Sequence, residues 1–140
     1  MIQAEVSRAA AIVAVDDAGD TVRLATPATR IVSLIPATTE LLFALGLGDR
    51  VVGRTTWCDY PAAARAVPSL GDGLQPNLEA IVAARPDLVV LYNSVQNVAA
   101  ADRLRAQRIP TVLVTTDRLA DVPRHARLLG HFGGRADRSA

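Results

Sequence analysis

The strongest constraint on the fold is a strand-like segment that is apolar at consecutive positions. Asp87-Leu-Val-Val-Leu-Tyr92 has four apolar residues in a row. A strand with one face in water alternates apolar and polar residues, whereas a continuous run is typical of a strand covered on both faces. Shorter strand-like segments occur at residues 30–35, 51–55 and 111–115. We therefore expect a mostly parallel sheet that lies between two layers of helices.

Helices are predicted between these strands, because polar residues that can cap a helix start are followed by glycine or proline residues that end a helix. Thr38 or Thr39 is expected to cap the first helix and Asn77 the second, since their side-chain oxygens can accept hydrogen bonds from free N–H groups. The predicted helices cover residues 40–45, 78–84, 96–108 and 119–132. The resulting order of strand and helix predicts an α/β fold, a three-layer Rossmann-like lobe with a mostly parallel sheet.

A β-hairpin is predicted before the alternating region. Two β-rich runs at 11–15 and 21–24 flank the sequence Asp16-Asp-Ala-Gly-Asp20. Aspartate and glycine favour tight turns. The three aspartates do not have the spacing or the glutamate of a calcium-binding loop, so they are interpreted as turn residues.

Composition argues against several classes of function. Fifteen basic residues stand against fourteen acidic ones, which leaves no basic excess for binding nucleic acid. Cys58 is the only cysteine, so it cannot form an internal disulfide or by itself a zinc site. His125 and His131 are six residues apart on one predicted helix and are expected to face solvent rather than bind a metal. No glycine-rich phosphate loop follows a strand. We therefore predict no catalytic residue and no metal site.

The longest wholly apolar run, from Ala9 to Val15, is far shorter than the roughly 20 residues of a membrane-spanning helix. Two aspartates follow this run where a signal peptide would have small residues at its cleavage site. We predict neither an intact export signal nor a membrane segment in these residues.

The candidate ligand site lies on the loops that follow the predicted strands. Ligands of open parallel sheets bind outside the carboxyl ends of the strands. Trp57, Tyr60 and Tyr92, three of the five aromatic residues of the chain, lie on these loops. Aromatic side chains offer a large contact area and lose little entropy on binding. The pattern predicts a ligand-binding edge.

Four stretches of the chain, taken in order, resemble the substrate-binding proteins of ABC importers for iron–siderophores, haem and cobalamin, and most closely the cobalamin-binding branch. They are Arg30-Ile-Val-Ser-Leu-Ile-Pro-Ala-Thr-Thr-Glu-Leu41, Val52-Gly-Arg-Thr-Thr-Trp-Cys-Asp-Tyr-Pro61, Gly71-Asp-Gly-Leu-Gln-Pro-Asn-Leu-Glu79 and Ala84-Arg-Pro-Asp-Leu-Val-Val-Leu-Tyr92. Members of this family have two α/β lobes joined by a long helix, with the ligand between the lobes. The resemblance implies that residues 1–29 are an extension with the hairpin, that 30–134 are the first lobe, and that 135–140 begin the linking helix or form a frayed tail. The second lobe is expected to be absent from these 140 residues.

The resemblance also implies which residues contact the ligand. Trp57 and Tyr92 match aromatic residues that face the ligand in the family's cobalamin binder. Pro36, Ala37 and Thr38 are expected to lie in a loop that lines the cleft with its backbone. The implied ligand is cobalamin or another metal chelate, carried as cargo and not as a catalytic cofactor.

Glu79 matches the glutamate with which the first lobe docks onto arginines of the membrane permease. The implied function is delivery of the chelate to an ABC-transporter permease from a periplasmic or other extracytoplasmic, membrane-associated position. Two alternatives stay open. One is an incomplete single lobe that acts only as an interaction module. The other is a flavodoxin-like cytoplasmic small-molecule binder, which would need a phosphate loop or an acid/base pair at the strand ends.

Overall fold

The computed structural model describes residues 11–72 and 75–135. Residues 1–10 and 136–140, which belong to the predicted extension and tail, lie outside the described residues. Four parallel strands form the main sheet in the order β4-β3-β5-β6. These strands are β3 (Ile31–Ser33), β4 (Val51–Gly53), β5 (Leu88–Tyr92) and β6 (Thr111–Val114). The predicted α/β fold with a parallel sheet is confirmed.

Within residues 11–72 and 75–135, four α-helices connect and follow these strands. They are α1 (Pro36–Ala44), α2 (Leu78–Ala83), α3 (Val95–Ala106) and α4 (Val122–Phe132), with short 3₁₀ turns at Gly48–Arg50, Ala62–Ala66 and Leu119–Asp121. The predicted cap of α2 is present, because Asn77 Oδ1 accepts the Ala80 N–H at 3.0 Å. None of the helices in the described ranges combines the length and the apolar character that a membrane crossing needs.

Strand β5 shows why its sequence is apolar at consecutive positions. Leu88 and Val90 face a core that also contains side chains of α1 and α4. Val89 and Leu91 face a second core, formed with α2 and α3. Both faces of the sheet are therefore covered by helices, and the three-layer arrangement is confirmed.

The first helix begins earlier than predicted. Ile35 takes the N-cap position and Pro36 is the first helical residue, a position where its fixed φ and missing N–H cost nothing. Thr39 is fully buried in the first turn, and its Oγ1 donates to Ser33 Oγ at 2.8 Å. Thr38 is also buried, at 2% exposure. Neither threonine caps the helix, and the loop predicted at 36–39 is the first turn of α1.

The predicted hairpin is present as β1 (Ile12–Val15) paired with β2 (Thr21–Leu24) in antiparallel register. Gly19 in its turn adopts a φ of +86°, a conformation that glycine tolerates without strain. Val22 and Leu24 are buried in the same core as α4. The hairpin is therefore packed onto the helical layer.

The aspartates of the hairpin turn do more than form the turn. Asp16 Oδ2 accepts the Leu113 N–H at 3.0 Å, and the Asp17 N–H donates to the Leu113 carbonyl at 2.9 Å. Asp17 Oδ2 accepts the Thr115 N–H at 2.6 Å. These bonds satisfy backbone groups on the outer edge of β6. The interpretation of the aspartates as turn residues did not predict this second role.

The opposite edge of the sheet is also paired. Beyond β4, Arg54 forms a parallel bridge with Ser69. Its N–H donates to the Pro68 carbonyl at 3.1 Å, and its carbonyl accepts the Leu70 N–H at 2.7 Å. A loop segment therefore continues the sheet where β4 ends.

His125 is buried at 3% exposure, so the prediction that it faces solvent is wrong. Its Nε2 lies 3.2 Å from Asp17 Oδ2, because the hairpin covers this side of α4. Burial opposes ionisation of Asp17, but the Thr115 N–H, His125 and the ion pair with Arg124 outweigh it and hold the pKa of Asp17 below its ordinary value. His131 is half-buried, with its Nε2 3.1 Å from the Val13 carbonyl oxygen.

Candidate functional site

A cavity of about 680 Å³ opens at the carboxyl ends of β3, β4 and β5. Strand β3 is paired with β4 on one side and with β5 on the other, so the connections that leave these strands diverge here. Such switch points are where open α/β sheets bind ligands. The described residues that line the cavity are Leu34, Ile35, Pro36, Trp57, Asp72, Gln75, Tyr92, Ser94, Gln96 and Asn97.

Three of the five residues predicted to contact a ligand come together in this cavity. Pro36, Trp57 and Tyr92 line it from three different strand ends. Ala37 and Thr38 do not line it, since in a helix each successive side chain points about 100° away from the last. Their predicted role depended on a loop at this position, and the helical turn replaces that loop.

Trp57 is held out into the cavity by a buried polar network beneath its loop. The indole side chain is 67% exposed, while the neighbouring Cys58 is buried at 1%. The Trp57 N–H donates to Thr55 Oγ1 at 3.1 Å. The Cys58 Sγ lies 3.1 Å from Thr55 Oγ1 and 3.3 Å from Thr39 Oγ1, which ties the loop to α1. The loop that carries the exposed ring is thus bonded to α1 through Cys58 and Thr55.

Tyr92 is fixed by a carboxylate from the next strand end. Its hydroxyl donates to Asp117 Oδ1 at 2.6 Å. This hydrogen bond raises the pKa of Tyr92 above its ordinary value, because it stabilises the protonated phenol. Asp117 lies on a loop that follows a predicted strand, at the predicted binding edge. Its hydrogen bond with Tyr92 could not be predicted from the separation of the two residues in the sequence.

The beginning of α3 contributes three lining residues that were not among the predicted ligand contacts. Ser94 caps the helix, and its Oγ accepts the Asn97 N–H at 3.2 Å. Gln96 is exposed, whereas Asn97 is buried at 3%. The available signal was their position directly after β5. That signal becomes specific only once the strand order places β5 beside the switch point.

The chemistry of the cavity suits a non-covalent ligand with both apolar and polar parts. Its described wall combines two aromatic side chains with proline, aliphatic, hydroxyl and carboxamide groups. Asp72 contributes a carboxylate, and none of the described lining residues is an arginine or lysine. Within the described ranges, no group of three or more His, Cys, Asp or Glu residues could hold a metal ion.

Glu79 lies apart from the cavity. It occupies the first turn of α2 behind the Asn77 cap and is exposed to solvent. Among the residues that the structure describes, none forms a hydrogen bond or ion pair with its carboxylate. The side chain is therefore available to a cationic group of another molecule.

The sequence and the structure of the chain are both similar to those of periplasmic and substrate-binding proteins. Residues 31–140 match the family described as periplasmic binding protein. The ABC transporter substrate-binding lipoprotein YvrC of Bacillus subtilis is 36% identical over 127 residues, 87% of this chain and 40% of that protein. The crystal structure of the periplasmic vitamin B12 binding protein BtuF of Vibrio cholerae superposes with a TM-score of 0.72 at 27% identity, over 81% of this chain and 44% of that one. The heme binding protein HmuT superposes with a TM-score of 0.77 at 26% identity, over 91% of this chain and 42% of that one.

The chain spans less than half the length of each of these relatives. The matched portion includes the parallel sheet, the four helices given above and each described residue that lines the cavity. By sequence and by fold, this chain belongs to the periplasmic binding protein family.

Proposed function

We propose that the chain binds cobalamin or a related metal chelate in the cavity at the carboxyl edge of the sheet and delivers it to an ABC-transporter permease. The observation that carries this proposal is the convergence of Trp57 and Tyr92, from different strand ends, on one cavity at the switch point. The names of two structural neighbours, the vitamin B12 binding protein BtuF and the heme binding protein HmuT, also support a ligand of this type.

The shape and chemistry of the cavity support a planar macrocyclic ligand. A volume of about 680 Å³ lies within the usual range of small-molecule sites. An exposed indole and a phenol oriented by Asp117 provide flat surfaces that a rigid ring can contact. The ligand would be cargo, and the protein a binding protein rather than an enzyme.

The proposal extends to domain organisation and location. Residues 30–134 would be the first lobe, preceded by an extension at 1–29, and residues 135–140 would lead towards a second lobe that closes over the ligand. The greater length of the relatives accommodates such a lobe. The names of YvrC and BtuF, a lipoprotein and a periplasmic protein, support an extracytoplasmic position.

Fluorescence of Trp57, the only tryptophan, provides the test of ligand binding. Cyanocobalamin, cobinamide, haem and a ferric siderophore are titrated separately, and the signal is corrected for ligand absorbance with free N-acetyltryptophanamide. We expect saturable quenching by one class of chelate, because the ligand would stack against the indole. A response to all four that is no larger than that of the free tryptophan derivative would contradict binding by this chain.

Glu79 is proposed to dock onto an arginine of the permease. A carboxylate without a partner at a helix start can form a charge-assisted hydrogen bond with a guanidinium group. We expect Glu79→Arg to weaken binding to the cognate importer in nanodiscs by about tenfold or more, since a like charge then faces the arginine.

Glu40 offers the matched control, because it is the other described glutamate, is exposed, and lies on α1. Glu40→Arg produces the same change of charge and should leave docking within about twofold of the native chain. Equal losses for both variants would show that only the overall charge matters. A loss of ligand binding in Glu79→Arg would show damage to the fold instead.

A further inference from the structure

A second cavity, of about 340 Å³, opens at the amino-terminal start of β6. The strands of the main sheet are parallel, so this cavity lies at the end of the sheet opposite to the candidate ligand cavity. Its walls come from β2 of the hairpin, from the last turn of α3 and from the segment that leads into β6. Three of the eight described residues that line it are arginines, namely Arg23, Arg105 and Arg108.

Arg105 is held in one orientation by its neighbours. Its Nε and Nη2 donate to the Thr111 carbonyl oxygen at 3.2 and 2.6 Å. Its Nη1 lies 2.8 Å from Asp20 Oδ2, and its Nη2 lies 3.1 Å from Asp16 Oδ2. Two carboxylates thus offset the charge of this guanidinium group. A net positive charge in the cavity therefore comes from the other two arginines.

Arg23 and Arg108 are exposed, and both line the cavity. Among the residues that the structure describes, none accepts a hydrogen bond from either guanidinium group or forms an ion pair with it. A guanidinium group offers five N–H donors and does not lose its proton in proteins. The two side chains come from different elements, the outer face of β2 and the turn after α3. They bring donors and positive charge to one cavity, and the described residues provide no acceptor for them.

The backbone at Arg108 gives no reason for an arginine. The residue follows the C-cap of α3 and has a φ of +65°, in the left-handed region. Glycine is the usual residue at this position of a helix end, because a side chain is strained there. Arg108→Gly therefore removes the guanidinium group without straining the turn.

We propose that this cavity binds a phosphate group through Arg23 and Arg108, with Arg105 as a third, partly neutralised cation. The N–H groups of a guanidinium pair with two oxygens of a phosphate or a carboxylate. A tetrahedral phosphate has enough oxygens to accept from two guanidinium groups, whereas a single carboxylate is occupied by one. Inorganic phosphate and the phosphate group of a larger molecule offer the same chemistry to the site.

One carboxylate opposes an anion in this cavity. Asp16 is buried and already accepts several hydrogen bonds, but the Asp20 side chain is 48% exposed beside Arg105. The carboxyl end of α3 also carries partial negative charge. Its Leu104 and Arg105 carbonyl oxygens already accept the N–H groups of residues 107–109. Asp20 is therefore the group whose charge should limit the affinity for phosphate.

Inorganic phosphate is the probe for the first experiment. Sodium phosphate and sodium acetate are titrated separately into the ¹⁵N-labelled chain at matched pH and ionic strength. The backbone amide signals of residues 21–23, 108, 109 and 111 are followed by NMR. Phosphate should shift these signals saturably, and acetate should bind at least about threefold more weakly, because it can occupy only one guanidinium group. A lack of saturation with phosphate, or an equal affinity for acetate, would overturn the site.

Arg23→Thr and Arg108→Gly should each weaken phosphate binding by about three- to fivefold, the upper range for an exposed ion pair. Threonine suits a strand and glycine suits a positive φ, so both variants should keep the fold. Arg85→Gly is the matched control, because Arg85 is exposed, has a φ of +54° and does not line the cavity. This variant should bind phosphate within about 1.5-fold of the native chain. An equal loss in Arg85→Gly would overturn the site, since only the overall charge would matter.

Asp20→Asn tests the charge at the cavity in the opposite direction. The variant removes the carboxylate beside Arg105 and should strengthen phosphate binding by about threefold. Weaker binding would contradict an anion site. Chelate binding by the arginine variants should stay within about twofold of the native chain, because their cavity lies at the other end of the sheet. The phosphate site and the proposed function can therefore fail separately.

Cosedimentation with lipid vesicles identifies the source of the phosphate. Phosphatidylcholine vesicles with and without phosphatidic acid are compared for the native chain and for the double variant Arg23→Thr/Arg108→Gly. Sedimentation that requires both phosphatidic acid and the two arginines would support the site with a lipid headgroup as its ligand. Saturable binding of inorganic phosphate without sedimentation would support it with a soluble phosphate. A double variant that behaves as the native chain in both assays would overturn it.

Discussion

Replacing Asp16 with alanine is expected to lower the free energy of unfolding by about 3–5 kcal/mol, because it removes a buried carboxylate that accepts several hydrogen bonds, and hydrogen bonds to a charged group contribute about 1.5–3 kcal/mol each. The Asp16 side chain is 1% exposed, and its Oδ2 lies 3.1 Å from Arg105 Nη2 and accepts the Leu113 N–H. Its Oδ1 accepts the N–H groups of Ala18 and Asp20. Asp16→Ala removes all four contacts, so the turn and the edge of β6 lose their common partner. A domain of this size is stable by only about 5–15 kcal/mol, so the effect is large.

Asp20→Ala is the matched control for Asp16→Ala. Asp20 contacts the same arginine at 2.8 Å, but its side chain is 48% exposed. Exposed ion pairs contribute about 0–1 kcal/mol, so urea unfolding followed by circular dichroism should show a small change for this variant. Similar losses in both variants would mean that the charge of Arg105, rather than the buried hydrogen bonds, determines the stability of the hairpin contact.

Replacing Trp57 with alanine is expected to weaken chelate binding by about tenfold or more, which corresponds to about 1.4 kcal/mol. The indole is the most exposed aromatic side chain that lines the cavity, and its loop is held by the contacts of Thr55 and Cys58. Its removal therefore deletes contact area without opening the core. Equilibrium dialysis, followed by the visible absorbance of cyanocobalamin, measures the loss without relying on tryptophan fluorescence.

Tyr60 provides the control for Trp57. It is 66% exposed, lies three residues further along the same loop, and does not line the cavity. Tyr60→Ala should bind the chelate within about twofold of the native chain, because a comparable aromatic surface is removed outside the site. If Tyr60→Ala loses as much affinity as Trp57→Ala, the ligand contacts the whole loop and the cavity does not define the site.

Local sequence signals were sufficient for most of the fold. The consecutive apolar residues of β5 required two covered faces, and those faces are present. Asn77 marked the start of α2 through a hydrogen bond between near neighbours. Such signals depend on a few adjacent residues, which is why they could be interpreted without knowledge of the tertiary arrangement.

Two of the three missed features, the burial of His125 and the site role of Asn97, depend on distant residues. His125 is buried because the hairpin packs on α4, and 108 positions separate it from its partner Asp17. The start of α1 was predicted too late in the sequence. The prediction relied on the preference of threonine for the N-cap, whereas the helix follows the preference of proline for the first helical position. Asn97 became a site residue only when the strand order placed the start of α3 beside Trp57. No local pattern carries that information.

Both edges of the main sheet are paired, by the hairpin turn at β6 and by the segment from Pro68 to Leu70 beyond β4. An unpaired edge strand is a template on which a second chain can add, and this is a common route to aggregation. Here an approaching chain meets backbone groups that are already bonded at Leu113, Thr115 and Arg54. At Leu113 and Arg54 the described part of the chain therefore leaves no free backbone group with which an added strand could pair, and at Thr115 it leaves no free N–H group.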